Sequence, residues 1–143
     1  MSSNTNRPQI PSDMRAFNKK IVEEFRANRG QLSGPMAGRQ LMLLTTTGAK
    51  SAEERTVVLG FRPDGDRYVA IASNNGNDVA PAWYGNLLAN PVATVEIGPD
   101  KFQVRASVAG ADERSRLAPR IEYLAAQQAL TSREIPIVVF EKI

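Results

Sequence analysis

The chain has 143 residues, of which 42% are hydrophobic and 23% charged, and its formal net charge is +3. A chain of this length fits one domain and buries enough apolar surface to fold without a disulfide or a structural metal. It contains no cysteine and no histidine, which excludes thiol and imidazole nucleophiles, Fe–S clusters and the common structural zinc sites. The carboxylates are scattered, and no G-x-S-x-G, S-x-x-K, Walker or G-x-G-x-x-G motif occurs. If the chain is an enzyme, we therefore expect its difficult chemistry to belong to an organic cofactor.

Residues 1–37 are predicted to form an arm that precedes the main domain at 38–143. The polar, proline-containing stretch 1–11 predicts a disordered lead-in. After Ser12, apolar residues recur at steps of three and four, which predicts an amphipathic helix that ends near Gly30. The residues of this stripe are Met14, Phe17, Ile21 and Phe25.

The arm also carries the basic excess, with seven Lys and Arg against three Asp and Glu in residues 1–39. We expect the apolar stripe to pack on the main domain or on a partner subunit in a homodimer. A peripheral contact of residues 12–29 with an anionic membrane is the alternative. Because no membrane-spanning run or signal peptide is visible, the protein is expected to be cytoplasmic, with membrane association left open. The aromatic residues are not grouped with basic ones, so no nucleic-acid partner is expected.

The main domain is predicted to be mainly β, a six-stranded antiparallel closed or split β-barrel with peripheral helices. Turn signals at Pro63–Asp66 and Gly98–Lys101 separate neighbouring strands. Pro81 opens a short helix over 82–90, and a longer helix is predicted from Asp112 to about Leu130 with a bend at Pro119. The predicted strands are 41–47, 56–62, 67–73, 92–97, 102–108 and 135–140.

Two segments carry residues suited to ligand binding. In the first, a strand enters a glycine turn that offers Lys50, Ser51 and Arg55, a set suited to phosphate or carboxylate groups. An ordinary solvated hairpin tip is the alternative. In the second, a polar loop leads from Ala72 into a helix with the only tryptophan, Trp83, and its free amides could meet a ring system. Here the alternative is that Trp83 is simply a core anchor.

Together the two segments resemble the deazaflavin (F420)-dependent nitroreductase and quinone reductase family of actinobacteria. The resemblance is collinear over about residues 38–143. The matching stretches are Thr46-Thr47-Gly48-Ala49-Lys50-Ser51 with Arg55, Asp64-Gly65-Asp66-Arg67-Tyr68-Val69, Ser73-Asn74-Asn75-Gly76 and Pro81-Ala82-Trp83-Tyr84-Gly85-Asn86-Leu87-Leu88-Ala89-Asn90-Pro91.

The resemblance implies a split β-barrel similar to flavin-mononucleotide-binding barrels, which holds coenzyme F420. The phosphodiester and acidic tail of the coenzyme are expected at Lys50, Ser51 and Arg55. The ring is expected along two strands and a short helix. The expected ring-binding residues are Thr56, Val57, Val58, Ile71, Ala72, Ser73, Asn74, Ala82, Trp83, Tyr84 and Asn86.

The expected reaction is hydride transfer from the reduced coenzyme to an electron-poor small molecule: a quinone, an enone or a nitroaromatic compound. Ser73 and Tyr123 are the predicted catalytic residues, because either hydroxyl could donate to an acceptor oxygen as negative charge develops on it. Two alternatives remain open. One is a flavin-mononucleotide oxidoreductase on the same barrel, and the other is a non-catalytic F420-binding or membrane-peripheral protein. No metal is expected.

Overall fold

The computed structural model describes residues 14–143, with side chains described from residue 16 onward. The predicted lead-in at 1–11 and the predicted helix start at Ser12 lie outside the described residues. The helices are α1 (Met14–Ala27), α2 (Ala82–Ala89), α3 (Ala111–Leu117) and α4 (Leu124–Gln128), with single 3₁₀ turns at Gly34–Met36 and Ala118–Arg120. The strands are β1 (Leu41–Thr47), β2 (Glu54–Gly60), β3 (Arg62–Asp64), β4 (Arg67–Ile71), β5 (Val92–Ile97), β6 (Asp100–Val108) and β7 (Ile137–Lys142).

The seven strands form one antiparallel sheet in the order β2-β1-β5-β6-β7-β4-β3. The first and last strands of this order are joined in sequence by the single residue Phe61. One bent segment therefore pairs with β1 on one side and with β4 on the other, and the sheet curls back to its own beginning. The predicted mainly β barrel fold is confirmed, and counting β2 and β3 as one bent strand recovers the six predicted strands.

The hairpin between β3 and β4 is tighter than predicted. Pro63 and Asp64 were expected in the turn, but they belong to β3, where Pro63 pairs with Tyr68 and Asp64 with Arg67. The connecting loop is only Gly65-Asp66, and Gly65 adopts φ +63°. Two-residue hairpin loops require such left-handed backbone, which glycine adopts without steric cost.

Alternation along the strands separates an interior from an outer face. In β4 and the residue after it, Ala70 and Ala72 contribute to the interior cluster, whereas Val69 and Ile71 join an outer cluster covered by α3 and α4. This is the period-two pattern of a strand with both faces buried. The barrel interior and the outer cluster under α3 and α4 are thus separate apolar cores.

Helix α1 packs on the outer face of β1 and β2. Val22 and Phe25 are buried there with Leu43, and Ile21 and Val58 pack against them. Part of the predicted apolar stripe is therefore occupied by the chain's own barrel.

A bidentate ion pair fixes the end of α1. Arg26 Nε and Nη2 donate to Glu96 at 3.1 and 2.8 Å. Among the described residues no helix is both long and apolar enough to cross a membrane.

The single helix predicted from Asp112 to Leu130 is wrong, because the segment is interrupted rather than bent. Helix α3 ends at Leu117, a 3₁₀ turn containing Pro119 follows, and α4 begins at Leu124. Pro119 has no N–H with which to continue the helical hydrogen-bond ladder. Leu117 of α3 and Leu124 of α4 nevertheless pack in the same outer cluster.

The β3–β4 hairpin is locked to α3 through Asp64, whose residue surface is 8% exposed. Its carboxylate accepts hydrogen bonds from Arg67 at 2.6 Å, from Arg116 at 3.0 and 3.1 Å and from Arg120 at 2.9 Å. Hydrogen bonds from Arg116 and then Arg67 hold the pKa of Asp64 well below its usual range. Charge-assisted hydrogen bonds of this kind are stronger than neutral ones.

Candidate functional site

The two segments singled out in the sequence meet through Asn86 of α2. Its amide Nδ2 donates to Thr46 Oγ1 at 3.0 Å, and its Oδ1 accepts from the Ala49 backbone N–H at 3.0 Å. Thr46 lies at the end of β1, and Ala49 lies in the turn that carries Lys50. The helix with Trp83 is therefore joined directly to the basic turn.

The basic turn is open to solvent. Lys50, Ser51 and Arg55 are all exposed, and Arg55 Nη2 lies 3.5 Å from Glu53 Oε1. Ser51 Oγ accepts from the Glu53 backbone N–H at 3.2 Å, which closes the turn. An exposed ion pair of this length contributes little to stability, so both cations can turn toward an anionic ligand.

The barrel is split beside β2. In the described residues β2 is hydrogen-bonded to a strand on one side only, because β3 pairs with β4 no further than Arg62 and Val69. Phe61 N–H donates to Gln40 O on the β1 side, whereas the Thr56 carbonyl accepts from Asn18 of α1 at 2.6 Å. The even-numbered residues of β2 thus direct their backbone groups into the gap between β2 and β4. Such a gap offers hydrogen-bonding backbone to a planar ligand.

The predicted ring-binding residues divide between the two faces of this gap. Trp83, Ala72 and Val57 belong to the interior cluster. Val58 packs toward α1, and Ile71 packs toward α3 and α4. The predicted set therefore flanks the gap from both sides and does not form one wall.

Thr56 is tied down at both its side chain and its backbone. Its Oγ1 lies 2.7 Å from Thr45 Oγ1, on the outer face. Together with the bond from Asn18 to its carbonyl, this fixes the start of β2 at the mouth of the gap.

Tyr84 and Ala82 lie apart from the basic turn. Ala82 is exposed at the start of α2. Tyr84 faces a cavity of about 190 Å³ between α2 and β6, which Leu88 and Val108 also line. Asn86 and Tyr84 therefore occupy different faces of the short helix.

The loop after β4 adopts an unusual backbone. Ser73 is buried, and Asn74, Asn75 and Gly76 follow with φ of +49°, +58° and +76°. Left-handed backbone costs about 1–2 kcal/mol for most L-residues, less for Asn. Residues held in this way are enriched at ligand sites, which agrees with a binding role for the predicted Ser73–Asn74 corner.

Tyr123 reaches across the outer face toward β2. A Cβ built on Gly60 would lie 3.3 Å from its hydroxyl, and the Arg62 guanidinium lies 4.9 Å from its ring centroid. Its hydroxyl is buried without a hydrogen-bond partner. Burial raises the pKa of Tyr123, and the positive charge of Arg62 offsets part of this effect.

Gln127, one helical turn after Tyr123, has the same property. Its Oε1 is also buried without a partner, and its backbone carbonyl lies close to Gly76. A buried polar atom without a partner is destabilising unless water or a ligand satisfies it. Among the described residues, Tyr123 and Gln127 are therefore the side chains with a buried polar atom that lacks a protein hydrogen-bond partner.

Three residues of the site were missed by sequence reasoning. Asn18 looked like one more polar residue on an amphipathic helix, Gln127 one of two adjacent glutamines, and Arg133 one charge in a loop. Asn18 and Arg133 donate hydrogen bonds to backbone carbonyls more than 35 residues away. Gln127 lies against the loop at Gly76, which is also remote in sequence. Such long-range contacts leave no local pattern in a sequence.

The chain matches a family model and is similar to named relatives and to solved structures. A family model described as F420H(2)-dependent quinone reductase matches residues 17–142. An F420H(2)-dependent quinone reductase of Mycobacterium tuberculosis is 35% identical over 126 residues, covering 82% of this chain and 85% of the relative.

Solved structures agree. A structure described as an F420-H2 dependent reductase (FDR-A) has 34% identity and a TM-score of 0.64, covering 72% of this chain and 95% of its own. A structure described as a domain-swapped dimer has 29% identity and a TM-score of 0.66, covering 90% of this chain and 100% of its own. A pyridoxamine 5'-phosphate oxidase-like protein from Listeria innocua, at 15% identity and a TM-score of 0.52, shares the fold alone.

Proposed function

The chain belongs to the F420H(2)-dependent quinone reductase family, and on that premise we propose that it is an oxidoreductase that uses reduced coenzyme F420 to reduce a quinone. The observation that carries the proposal in the structure is the Asn86 link, which holds the basic turn against the tryptophan helix at the mouth of the split barrel. Enones and nitroaromatic compounds are further acceptors of the same electron-poor type.

The residues present fit the coenzyme. The exposed Lys50, Ser51 and Arg55 would hold its phosphodiester and acidic tail, since an ammonium, a hydroxyl and a guanidinium are suited to such anions. The gap beside β2 would hold its ring, between the gap-facing backbone of Val58 and the corner at Ser73. When bound and reduced, the deazaflavin supplies a hydride.

The protein's own part in the reaction is placement. The bond from Asn18 fixes the start of β2, and the bond from Asn86 fixes α2 against the end of β1. Holding two reactants in contact replaces a bimolecular encounter and lowers the barrier through entropy. Apolar side chains such as Val57 and Trp83 exclude water from the interior side.

Tyr123 is proposed as the hydrogen-bond donor to an acceptor oxygen. Its hydroxyl is protonated at neutral pH, as in any tyrosine, and burial raises its pKa further, so it acts by donating a hydrogen bond and not by releasing its proton. Its unpartnered state means that no protein bond has to break first. Ser73 would act from the other side of the gap, and Gln127 would accept from a hydroxyl of the reduced product.

An anaerobic titration tests the proposal. Reduced F420 is mixed with the protein and a naphthoquinone, and reappearance of the oxidised deazaflavin absorbance is followed. Catalysed oxidation is expected, and no rate above that of the protein-free mixture would contradict the proposal. The same turn would also accept the terminal phosphate of flavin mononucleotide, so a parallel affinity measurement with that flavin separates the two cofactors.

The oligomeric state rests on a single comparison. The similarity to a structure described as a domain-swapped dimer supports a homodimer, which light scattering of the full chain tests.

The predicted membrane contact of residues 12–29 stays a prediction. Val22 and Phe25 of α1 pack against the barrel, so a membrane would have to contact the other side chains of this helix. Co-sedimentation with anionic vesicles, compared with neutral ones, would support it only if the full chain pellets with the anionic set.

A further inference from the structure

Arg133 lies outside every motif of the family resemblance, yet it makes an extensive set of contacts with the corner loop. Its Nη2 donates to Ser73 O at 2.8 Å and to Ala72 O at 3.1 Å, with Val79 O at 3.5 Å. Its Nε donates to Asn77 O at 3.0 Å. One guanidinium thus gathers carbonyls from both ends of the loop that follows β4.

The rest of the segment supports this grip. Thr131 Oγ1 donates to Asp78 at 2.5 Å, and the side chain of Leu130 lies so close to Gly76 that a Cβ there would be 2.6 Å away. The base of Arg133 is itself fixed, because Gln128 Nε2 donates to the Arg133 carbonyl at 2.6 Å. Residues 130–133 therefore contact the loop at its middle and at both ends, and we call them the clamp.

The loop's backbone gives such a clamp a structural role, because two consecutive residues that are not glycine are left-handed. Asn74 and Asn75 hold left-handed φ values without being glycine, and this conformation persists only where surrounding contacts over-determine it. The Asn74 side chain adds one bond, from Nδ2 to Val79 O at 3.0 Å. Within the loop, Gly76 N–H donates to Ser73 O and Asn77 N–H donates to Asn74 O, both at 3.1 Å. The described side-chain bonds that reach its carbonyls from outside the loop are those of Arg133.

We propose that Arg133 is a positioning residue, which holds the loop 73–79 in its ligand-binding geometry before the coenzyme arrives. The inference rests on the proposed function, since it assigns this loop to the ring site. A planar guanidinium with several fixed donors can bridge carbonyls in different directions, whereas an ammonium concentrates its charge at one point. Lysine at this position would therefore restore only part of the effect.

Hydrogen exchange of the cofactor-free protein tests the first half of the proposal. In Arg133→Gln, amides of residues 74–79 are expected to exchange at least tenfold faster than in the original protein, with α1 unchanged. Arg133→Lys is expected to fall between the two. Exchange in Arg133→Gln that equals the original would overturn the proposal, whatever the protein binds.

Affinity for oxidised F420 tests the second half. Arg133→Gln is expected to weaken binding about tenfold, and Arg133→Lys by less. The matched control is Arg114→Gln, which removes a guanidinium bonded to the Ile135 carbonyl just beyond the clamp and should change affinity less than twofold. Faster loop exchange with unchanged affinity, or an equal loss in the control, would overturn the positioning role.

Failure of the proposed function is a separate result. If the original protein binds no F420, the cofactor assignment fails, while the exchange comparison still decides whether Arg133 holds the loop. If the original protein binds F420 and only the Arg133 variants lose affinity with a melting temperature close to that of Arg114→Gln, the positioning role is supported.

Discussion

The side-chain amide of Asn86 is hydrogen-bonded to the hydroxyl of Thr46, at 3.0 Å, and Thr46 is almost fully buried. This single contact ties the helix that carries Trp83 to the strand that leads into the basic turn. The second amide atom of Asn86 then reaches the turn itself, at Ala49. The two halves of the proposed coenzyme site are thus held by one side chain.

Replacing Asn86 is expected to uncouple these halves. Asn86→Ala should destabilise the fold by about 1 kcal/mol, as for a half-buried hydrogen bond, and should weaken F420 binding by about tenfold. Denaturant unfolding and fluorescence titration measure the two effects. Asn90→Ala, at an exposed position at the end of the same helix, is the control.

A double-mutant cycle with Thr46→Val tests the contact itself. If Asn86 and Thr46 act through their hydrogen bond, the double variant should be more stable than the sum of the single losses predicts, by about 1 kcal/mol. Strict additivity would show that Asn86 stabilises the protein through other atoms.

The charges of the basic turn should act on the coenzyme's tail and not on its ring. Lys50→Met and Arg55→Met are each expected to weaken F420 binding by about five- to tenfold, which corresponds to about 1 kcal/mol for an exposed charged contact. Binding of the same ring without phosphate and tail should be unaffected. Because the effect is electrostatic, each variant should also show a weaker dependence of affinity on salt.

Lys101→Met provides the comparison for these variants. Lys101 is exposed near the opposite end of the sheet, where it pairs with Glu96. Lys101→Met should leave unchanged the affinity for F420 and the affinity for the same ring without its phosphate and tail. If the Lys50 and Arg55 variants lose the same affinity for the ring with and without its tail, the two cations do not bind the tail.

The hydroxyl of Tyr123 is expected to contribute to the reduction of the acceptor and not to the stability of the fold. Because it is buried without a partner, its removal in Tyr123→Phe relieves an unfavourable burial and should leave the melting temperature unchanged or slightly higher. The kcat for quinone reduction should fall about tenfold or more, in the range of a lost hydrogen bond to developing charge. Tyr68→Phe, in the aromatic cluster with Phe61, is the matched control; an equal loss of kcat there would argue against a specific role for Tyr123.

Tyr123 should also make the protein sensitive to alkali. Its pKa is raised in the folded state, so the unfolded chain loses this proton first. Its contribution to the free energy of unfolding is therefore intact below about pH 10, the ordinary value for tyrosine, and is lost as pH rises toward the raised value. The difference in stability between the original protein and Tyr123→Phe should change only above that pH.

Asp64 should make the protein sensitive to acid. Its pKa is lowered by Arg116 and Arg67, so its contribution to stability is present above the ordinary carboxylate value of about 4 and is lost as pH falls below it. At neutral pH, Asp64→Asn should cost about 2–3 kcal/mol, less than a fully buried pair because two of its three arginine partners are about half exposed. Asp66→Asn, exposed in the same hairpin, should cost little, and equal losses in the two variants would contradict the lock at Asp64.

Local patterns in the sequence predicted the strands, the helix over α1 and the short helix after Pro81, because alternation and helical spacing are properties of neighbouring residues. The motif order also predicted the barrel and its family. The breakdown of the helix after Leu117 was only half predicted. Pro119 marks where the hydrogen-bond ladder stops, but the packing of α4 depends on the outer cluster that it joins, whose other members include residues of β4 and β7.

By itself, then, the sequence determined that this protein is a cysteine- and histidine-free β-barrel with an exposed pair of cations in one turn and a single tryptophan in a helix. The tertiary structure alone decided that Asn86 joins these two features, that Tyr123 crosses the outer face to Gly60, and that Arg133 holds the loop after β4. The reason is physical: these contacts join residues about 40 to 60 positions apart, and their partners are set by how the sheet curls.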